Sequence, residues 1–209
     1  MDYKQEYHRN LPHIRPGNSA FFLTDRLIET LPKEAIQRLQ QLKEGYEKAK
    51  DSKTSSRLFK YLDERLDAGF GPTWLSDPRV ASIVMQEFHK LPENASLHAF
   101  CIMPNHTHSL ISLNDDAQDL TEILRLLKGR TARWSNQALG RSGPFWKRET
   151  YDHKLRAGEW ERIIYYIAEN PVKAGLVEHW SDWPFTYIAE EIRYLLSEKG
   201  LPAKASATF

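Results

Sequence analysis

Two histidines one residue apart, His106 and His108, begin a run of β character, HTHSLISL. Side chains alternate across a strand, so residues two apart point to the same face. Two neighbouring imidazoles provide half of a metal-binding site. The spacing predicts a divalent-ion site, and it also fits two histidines near a turn that bind nothing.

A second candidate is a tyrosine on a predicted helix over residues 158–170, which we expect to end before Pro171. Arg162, Tyr166 and Asn170 are spaced four apart and share one helical face. A hydroxyl nucleophile, a cation and an amide in one row suit phosphoryl chemistry. The same spacing fits a tyrosine in the core, and it does not place the helix beside the histidines.

A basic segment is the third candidate. Residues 125–156 contain nine Lys or Arg and two acidic residues, in a chain of net charge +1. Such a stripe fits a phosphate backbone, although a solvated charged face has the same composition. We predict that its cations contact DNA, together with Arg162: Arg125, Lys128, Arg130, Arg133, Lys147 and Arg148. Trp134, Phe145 and Trp146 either stack on unpaired bases or belong to the core.

The elements that must position these residues follow from local patterns. Strands are predicted at 20–27, 97–103 and 106–113, with a fourth inside 145–155. Helical spacing occurs at 32–50, 57–66, 78–91, 120–139, 158–170 and 188–198, with a polar break at 52–56. This order predicts an α+β fold of ferredoxin-like type, an antiparallel sheet covered by helices. Residues 50–91 form a helical elaboration between the first and second strands.

Composition excludes several classes of protein. The chain has 209 residues, of which 41% are hydrophobic, and one cysteine. No apolar run approaches the roughly 18–20 residues of a membrane span. We expect one domain over residues 1–198, a disordered tail at 199–209, a cytoplasmic location, and neither a membrane partner nor a small-molecule cofactor.

Three segments together resemble the REP-associated tyrosine transposases, within the IS200-like family of single-tyrosine transposases with an HUH motif. They are HAFCIMPNHTHSLI at 98–111, FWKRETYDHKLR at 145–156 and YIAENPVKAGLV at 166–177. WSDWPF at 180–185 and LPHIRPGNSAFFLTDRL at 11–27 also fit the family. The resemblance implies a bacterial, nucleoid-associated enzyme, monomeric or homodimeric, that cleaves and rejoins DNA at repetitive extragenic palindromes. Its partner would be single-stranded or hairpin DNA.

The resemblance also implies a role for each site residue. His106 and His108 match the family's metal-binding pair, with Thr107 in place of the usual apolar residue between them. Tyr166 matches the tyrosine that becomes linked to DNA, and Asn170 is a third metal ligand. Mg²⁺ or Mn²⁺ suits a phosphate-rich substrate.

Alternatives remain at this stage. Tyr151 or Tyr165 could replace Tyr166 as the nucleophile. The chain could be a transposase-derived regulator that binds hairpin DNA without cutting it. A metal-dependent hydrolase of small molecules would require further His or Asp ligands at fixed spacing, which the sequence does not show.

Overall fold

The computed structural model describes residues 19–49, 52–114 and 120–196. Five strands form one antiparallel sheet in the order β4-β1-β3-β2-β5. They are β1 (Ser19–Arg26), β2 (Ala95–Ile102), β3 (His106–Leu113), β4 (Tyr151–Lys154) and β5 (Thr186–Ile188). The first four strands have the ferredoxin-like order, which confirms the predicted α+β fold.

Five α-helices cover the sheet: α1 (Lys33–Ala49), α2 (Ser52–Asp67), α3 (Pro78–Phe88), α4 (Leu120–Ala138) and α5 (Trp160–Lys173). Short 3₁₀ turns occupy Trp74–Ser76, Trp180–Asp182 and Glu190–Leu196. At the start of α3, the Asp77 carboxylate accepts a hydrogen bond from the backbone N–H of Arg79, and Pro78 takes the first helical position. An aspartate cap followed by a proline is a common way for a helix to begin.

The two faces of the sheet carry different helices because side chains alternate along each strand. On one face, Leu23, Phe100 and Ile111 pack against α3 and α4. On the other face, Phe22 and Leu110 pack against α5 and against Phe59 of α2. The sheet is therefore buried on both sides. We call the second side the histidine face, because His106 and His108 alternate onto it with Leu110.

The helices α1 and α2 lie side by side between β1 and β2 in the chain. They share a small apolar cluster with the end of the β1 segment, formed by Leu31, Ala35, Leu62 and Leu66. Phe59 enters the larger cluster on the histidine face. The α1–α2 hairpin thus covers part of that face.

Several boundaries differ from the sequence predictions. Residues 52–56 are not a break but the first turn of α2. Helix α5 does not end before Pro171 but continues to Lys173. A proline in the last turn removes one backbone hydrogen bond, and the packing of Ile167 and Ala168 in the core outweighs that loss. Residues 190–196 are 3₁₀ rather than α-helical, and the three-residue strand β5 was not predicted. Residues 11–18 of the segment at 11–27 and the predicted tail at 199–209 lie outside the described residues.

Among the residues that the structure describes, no helix has the length and apolar character needed to span a membrane.

Candidate catalytic site

The two histidines project side by side from β3 into the histidine face. Both rings are buried, and their Nε2 atoms are 3.1 Å apart. Each Nδ1 atom has a fixed partner: Asn105 Oδ1 at 2.6 Å for His106, and Thr24 Oγ1 at 2.9 Å for His108. Both Nε2 atoms are therefore directed towards one point.

Asn105 sets the proton position on His106. Its amide nitrogen donates to the backbone carbonyl of Leu66 at 3.0 Å, so its oxygen must face the imidazole. An amide oxygen only accepts, and His106 therefore carries its proton on Nδ1 and presents a lone pair at Nε2. Burial, followed by the neighbouring His108, holds the pKa of His106 well below its usual value. A neutral imidazole oriented by a hydrogen bond at its other nitrogen is the usual form of a metal ligand.

Tyr166 reaches the same point from α5. Its hydroxyl lies 3.5 Å from His108 Nε2 and donates a hydrogen bond to the Asp63 carboxylate. Phe22 and Phe59 meet its ring edge-on, with centroids 5.7 and 5.4 Å away. The structure thus brings together the tyrosine and the histidine pair, which the sequence alone could not place side by side.

Asp63 is a site residue that the sequence analysis missed. It lies on α2, and its carboxylate can supply a ligand atom within 4.8 Å of those of His106 and His108. Lys173 and His108 contact it as well, with His108 Nε2 at 3.6 Å. A signal was present in the sequence, because Asp63 occupies a position in the apolar stripe of α2, beside Leu62.

The charges around Asp63 keep it ionised. Burial raises the pKa of Asp63, but hydrogen bonds and charges from His108 and Lys173 outweigh that effect and hold it below the usual range. Burial and the charge of Asp63 raise the pKa of Asp67, whose carboxylate lies 2.9 Å from Lys173 Nζ. Burial, and then the charge and hydrogen bond of Asp63, raise the pKa of Tyr166 well above 10. The tyrosine is therefore protonated, with its proton directed at Asp63.

Asn170 lies one helical turn after Tyr166 and is buried. Neither atom of its amide makes a hydrogen bond of ordinary geometry with the residues that the structure describes, although the amide is close enough to the Tyr166 hydroxyl to lower its pKa. A buried amide without partners is costly, which makes it a candidate for contact with a bound group. Arg162, one turn before Tyr166, is half-buried and pairs with Glu159 at 3.1 Å.

The other tyrosines lie apart from this contact. Tyr151 is on β4, and its ring packs against Phe59 with centroids 5.1 Å apart. Burial raises the pKa of its hydroxyl. Tyr165 is buried in the core. Within the described chain, Tyr166 is the tyrosine for which a contact with His108 and Asp63 is seen.

The predicted basic row on α4 lies on the other face of the sheet, where α4 packs against α3. Lys128 is turned inward and binds Asp25 at 2.9 Å, Thr150 at 3.1 Å and the Arg148 carbonyl at 3.2 Å. It is therefore not an exposed cation. The other members have partners on the surface: Arg125 with Glu122 at 2.7 Å, Arg130 with Glu87 at 3.9 Å, and Arg133 over the Trp134 ring at 5.0 Å.

The remaining residues of the predicted DNA surface divide into core and exposed positions. Phe145 is buried in the α3–α4 cluster, and the Trp146 indole donates to Thr131 at 2.8 Å, so both belong to the fold. Arg148 is exposed, and Lys147 lies 3.5 Å from Glu149. DNA contact by the basic residues stays a prediction.

Comparisons with known proteins locate the family resemblance. Residues 79–170 match the family model for IS200-like transposases. Over 105 residues the chain is 30% identical to a putative REP-associated tyrosine transposase of Haemophilus influenzae, an alignment that covers 46% of this chain and 60% of the relative. It is 27% identical over 97 residues to the REP-associated tyrosine transposase of Escherichia coli, covering 46% and 56%. The matched parts therefore span less than two thirds of either relative.

A solved structure, a REP-associated tyrosine transposase bound to a REP hairpin, is similar with a TM-score of 0.49 and 17% identity, over 99% of this chain and 90% of that one. The sequence matches confirm the resemblance predicted from the three segments. The family model includes His106, His108, Tyr166 and Asn170, whereas Asp63 precedes it.

Proposed function

We propose, from the IS200-like transposase segment that this chain carries, that the protein is a metal-dependent enzyme that cleaves and rejoins single-stranded DNA at hairpins. One observation carries the proposal: a tyrosine hydroxyl, two imidazole Nε2 atoms and a carboxylate from three different elements meet at one buried point. Buried polar groups are costly, so their concentration at one place favours a functional role.

The chain's own groups support a transesterification. The Tyr166 oxygen would attack the scissile phosphorus and release its proton along the hydrogen bond to Asp63, from which the proton passes to solvent. The new tyrosine–phosphorus bond forms as the bond from phosphorus to the 3′ oxygen breaks, and that oxygen takes up a proton. The products are a 5′-phosphotyrosine and a free 3′-hydroxyl. The phosphodiester energy is retained, so attack by a 3′-hydroxyl reverses the step and joins strands.

The donor set fits a divalent ion. The two Nε2 atoms face each other, a carboxylate stands beside them, and the buried Asn170 amide has no described partner of ordinary hydrogen-bond geometry. We infer that His106, His108 and Asp63 hold the ion, with Asn170 as a further ligand. A bound Mg²⁺ or Mn²⁺ would neutralise charge on the non-bridging phosphate oxygens and orient the phosphate for in-line attack.

The substrate is proposed from the two curated relatives, whose names associate them with REP sequences. A palindromic strand folds back into a hairpin, and a hairpin with a single-stranded flank fits a chemistry that needs an unpaired phosphodiester. Tyr166 is 3% exposed and the Phe59 ring packs on it, so the substrate reaches the hydroxyl when that ring shifts, while Asp63 stays beside the histidines. We expect a bacterial setting near the nucleoid and a monomer or homodimer.

The test is cleavage of end-labelled single-stranded DNA hairpins with Mg²⁺, Mn²⁺ or a chelator. We expect discrete cleavage that needs the ion, and rejoining when a strand with a free 3′-hydroxyl is added. Hairpin binding without cleavage under any of these ions would contradict the enzyme and leave a binding regulator.

Mn²⁺ binding measured by calorimetry tests the ligand set separately from activity. Asp63→Asn should weaken Mn²⁺ binding by roughly 10–100-fold, because it removes a charged ligand. Asp182→Asn, at an exposed position of a 3₁₀ turn, is the matched control and should bind as wild type. Equal affinity in both variants would remove Asp63 from the ion site.

A further inference from the structure

A cleft of about 800 Å³ opens on the histidine face between the α1–α2 hairpin and the edge strand β4. Leu39 and Tyr46 line it from α1, and Tyr151 and Leu155 line it from the β4 side. Its volume lies in the range of roughly 300–1,000 Å³ typical of ligand-binding pockets. It is open to solvent along the β4 edge, where Lys154 is exposed.

The cleft is positively charged. Its lining includes five cations from both walls, Arg26, Lys43, Lys147, Lys154 and Arg156. Its acidic residues are Glu149 and Asp152, and Glu149 pairs with Lys147 at 3.5 Å. The excess of cations favours an anionic ligand.

The cleft leads to the candidate catalytic site. Thr24 lines it, and the Thr24 hydroxyl binds His108 Nδ1 at 2.9 Å. Leu62 lines it, next to Asp63 in the chain. The Tyr151 ring separates it from Phe59, which in turn touches the rings of His108 and Tyr166. The cleft therefore lies next to the site with the Tyr151 and Phe59 rings between it and Tyr166, and a strand bound there would reach Tyr166 when these two rings turn aside.

The walls also suit bases. The rings of Tyr46 and Tyr151 are partly exposed in the cleft, among the side chains of Leu39 and Leu58. Aromatic rings beside a line of cations are the usual composition of grooves that bind single-stranded nucleic acid, because any base can stack on them. A small phosphorylated metabolite would not need a groove of this volume with cations on both walls.

We propose that this cleft binds the single-stranded DNA that runs to Tyr166, with the phosphates on Lys43, Lys154 and Arg156 and bases against Tyr46. The proposal rests on the proposed function for the nature of its ligand. It assigns strand binding to the histidine face rather than to the α4 row on the other side of the sheet.

The test measures affinity for a labelled hairpin with a single-stranded tail as a function of salt. All variants carry Tyr166→Phe, so that binding is measured without cleavage. The variant Lys43→Ala/Arg156→Ala removes one Lys and one Arg from opposite walls. Arg79→Ala/Lys90→Ala is the matched control, because it removes the same two residue types around α3 on the other face.

We expect the cleft variant to lower the slope of log affinity against log salt by about 1.4, because each single-strand phosphate that the protein neutralises adds about 0.7 to that slope. The control should keep the wild-type slope. Photocrosslinking of 5-iododeoxyuridine in the tail should label Tyr46 or Tyr151. A variant with Arg125→Ala/Arg133→Ala tests the α4 row in parallel.

An unchanged slope for the cleft variant, with a reduced slope for the α4 variant, would overturn the proposal in favour of the other face. Lys43 and Arg156 are exposed, so we expect the cleft variant to fold as the wild type does, and circular dichroism checks this. If the protein does not cleave DNA but the cleft variant still has a lower salt slope, the proposed cleavage activity is contradicted and the cleft remains a DNA-binding site. The two proposals can therefore fail separately.

Discussion

The two faces of the sheet bury very different side chains. The α3–α4 face is filled by apolar groups such as Phe100, Ile102 and Ile111, and the Lys128–Asp25 ion pair there is fully hydrogen-bonded. The histidine face buries polar groups at its centre, including His108 and an Asn170 amide without a described partner. The residues named on both faces are buried, so burial alone does not explain the difference.

The α3–α4 face mainly stabilises the fold, whereas the histidine face holds the groups for the proposed chemistry. On the α3–α4 face the Lys128 amine has three oxygen partners, although the hydroxyls of Ser109 and Ser135 there lack a partner among the described residues. A site that must accept a ligand leaves some polar groups without protein partners, and this lowers the stability of the fold. We therefore expect substitutions on one face to change unfolding and substitutions on the other to change catalysis.

The largest effect is expected on the histidine face. His108→Ala should reduce cleavage at least roughly 1,000-fold, because it removes an ion ligand that supports several kcal/mol of transition-state stabilisation. Hairpin binding should persist. Thr107→Val is the matched control one residue away on the opposite face, and it should cleave close to the wild-type rate. Wild-type cleavage by His108→Ala would contradict the ion site.

The opposite face should respond in stability. Phe100→Ala should lower the free energy of unfolding by about 3–5 kcal/mol, since Phe100 is fully buried and stacks on Phe88 at 5.1 Å. Chemical denaturation measures this loss. Mn²⁺ affinity of the folded protein should be unchanged, and a change in affinity without a change in stability would reverse the assignment of the faces.

A smaller loss is expected for the buried ion pair. Lys128→Ala leaves the Asp25 carboxylate buried without its cation, which should cost about 3 kcal/mol of stability. Lys60→Ala is the control, because its pair with Glu64 at 3.9 Å is exposed and worth roughly 0–1 kcal/mol. Equal stability of the two variants would mean that Lys128 is a surface cation, as its place in the basic segment of the sequence suggests.

The smallest stability effect is expected at Asn170. Asn170→Ala should change the free energy of unfolding by no more than about 1 kcal/mol, because the lost packing is offset by removal of an unsatisfied amide. Mn²⁺ affinity should fall, as for any variant without one of its ion ligands. A stability loss above about 2 kcal/mol with unchanged Mn²⁺ affinity would make Asn170 a structural residue.

Local patterns in the sequence predicted the structural features that depend on residues close together in the chain. Alternation along β3 placed His106 and His108 on one face, and helical spacing placed Asn170 one turn from Tyr166. The order of strands and helices was sufficient for the ferredoxin-like sheet. These features depend on a few neighbouring residues, so no knowledge of distant contacts was needed.

The features that were missed depend on contacts between distant segments. Asp63 and Tyr166 are 103 residues apart, and nothing local indicates that α2 crosses over the histidines. Lys128 resembles Arg125 in the sequence, and its inward position depends on Asp25, which is 103 residues away, together with Thr150 and the Arg148 carbonyl. The end of α5 was misplaced because packing of Ile167 in the core outweighs the local effect of Pro171.

The most direct test of the central claim is mass spectrometry of the covalent protein–DNA adduct, formed with a hairpin substrate and Mn²⁺ and mapped to one residue. We predict a phosphotyrosine at Tyr166, loss of the adduct in Tyr166→Phe, and retention in Tyr151→Phe, whose ring packs behind Phe59 rather than against His108. An adduct at Tyr151, or one that persists in Tyr166→Phe, would contradict the assignment of Tyr166 as the nucleophile.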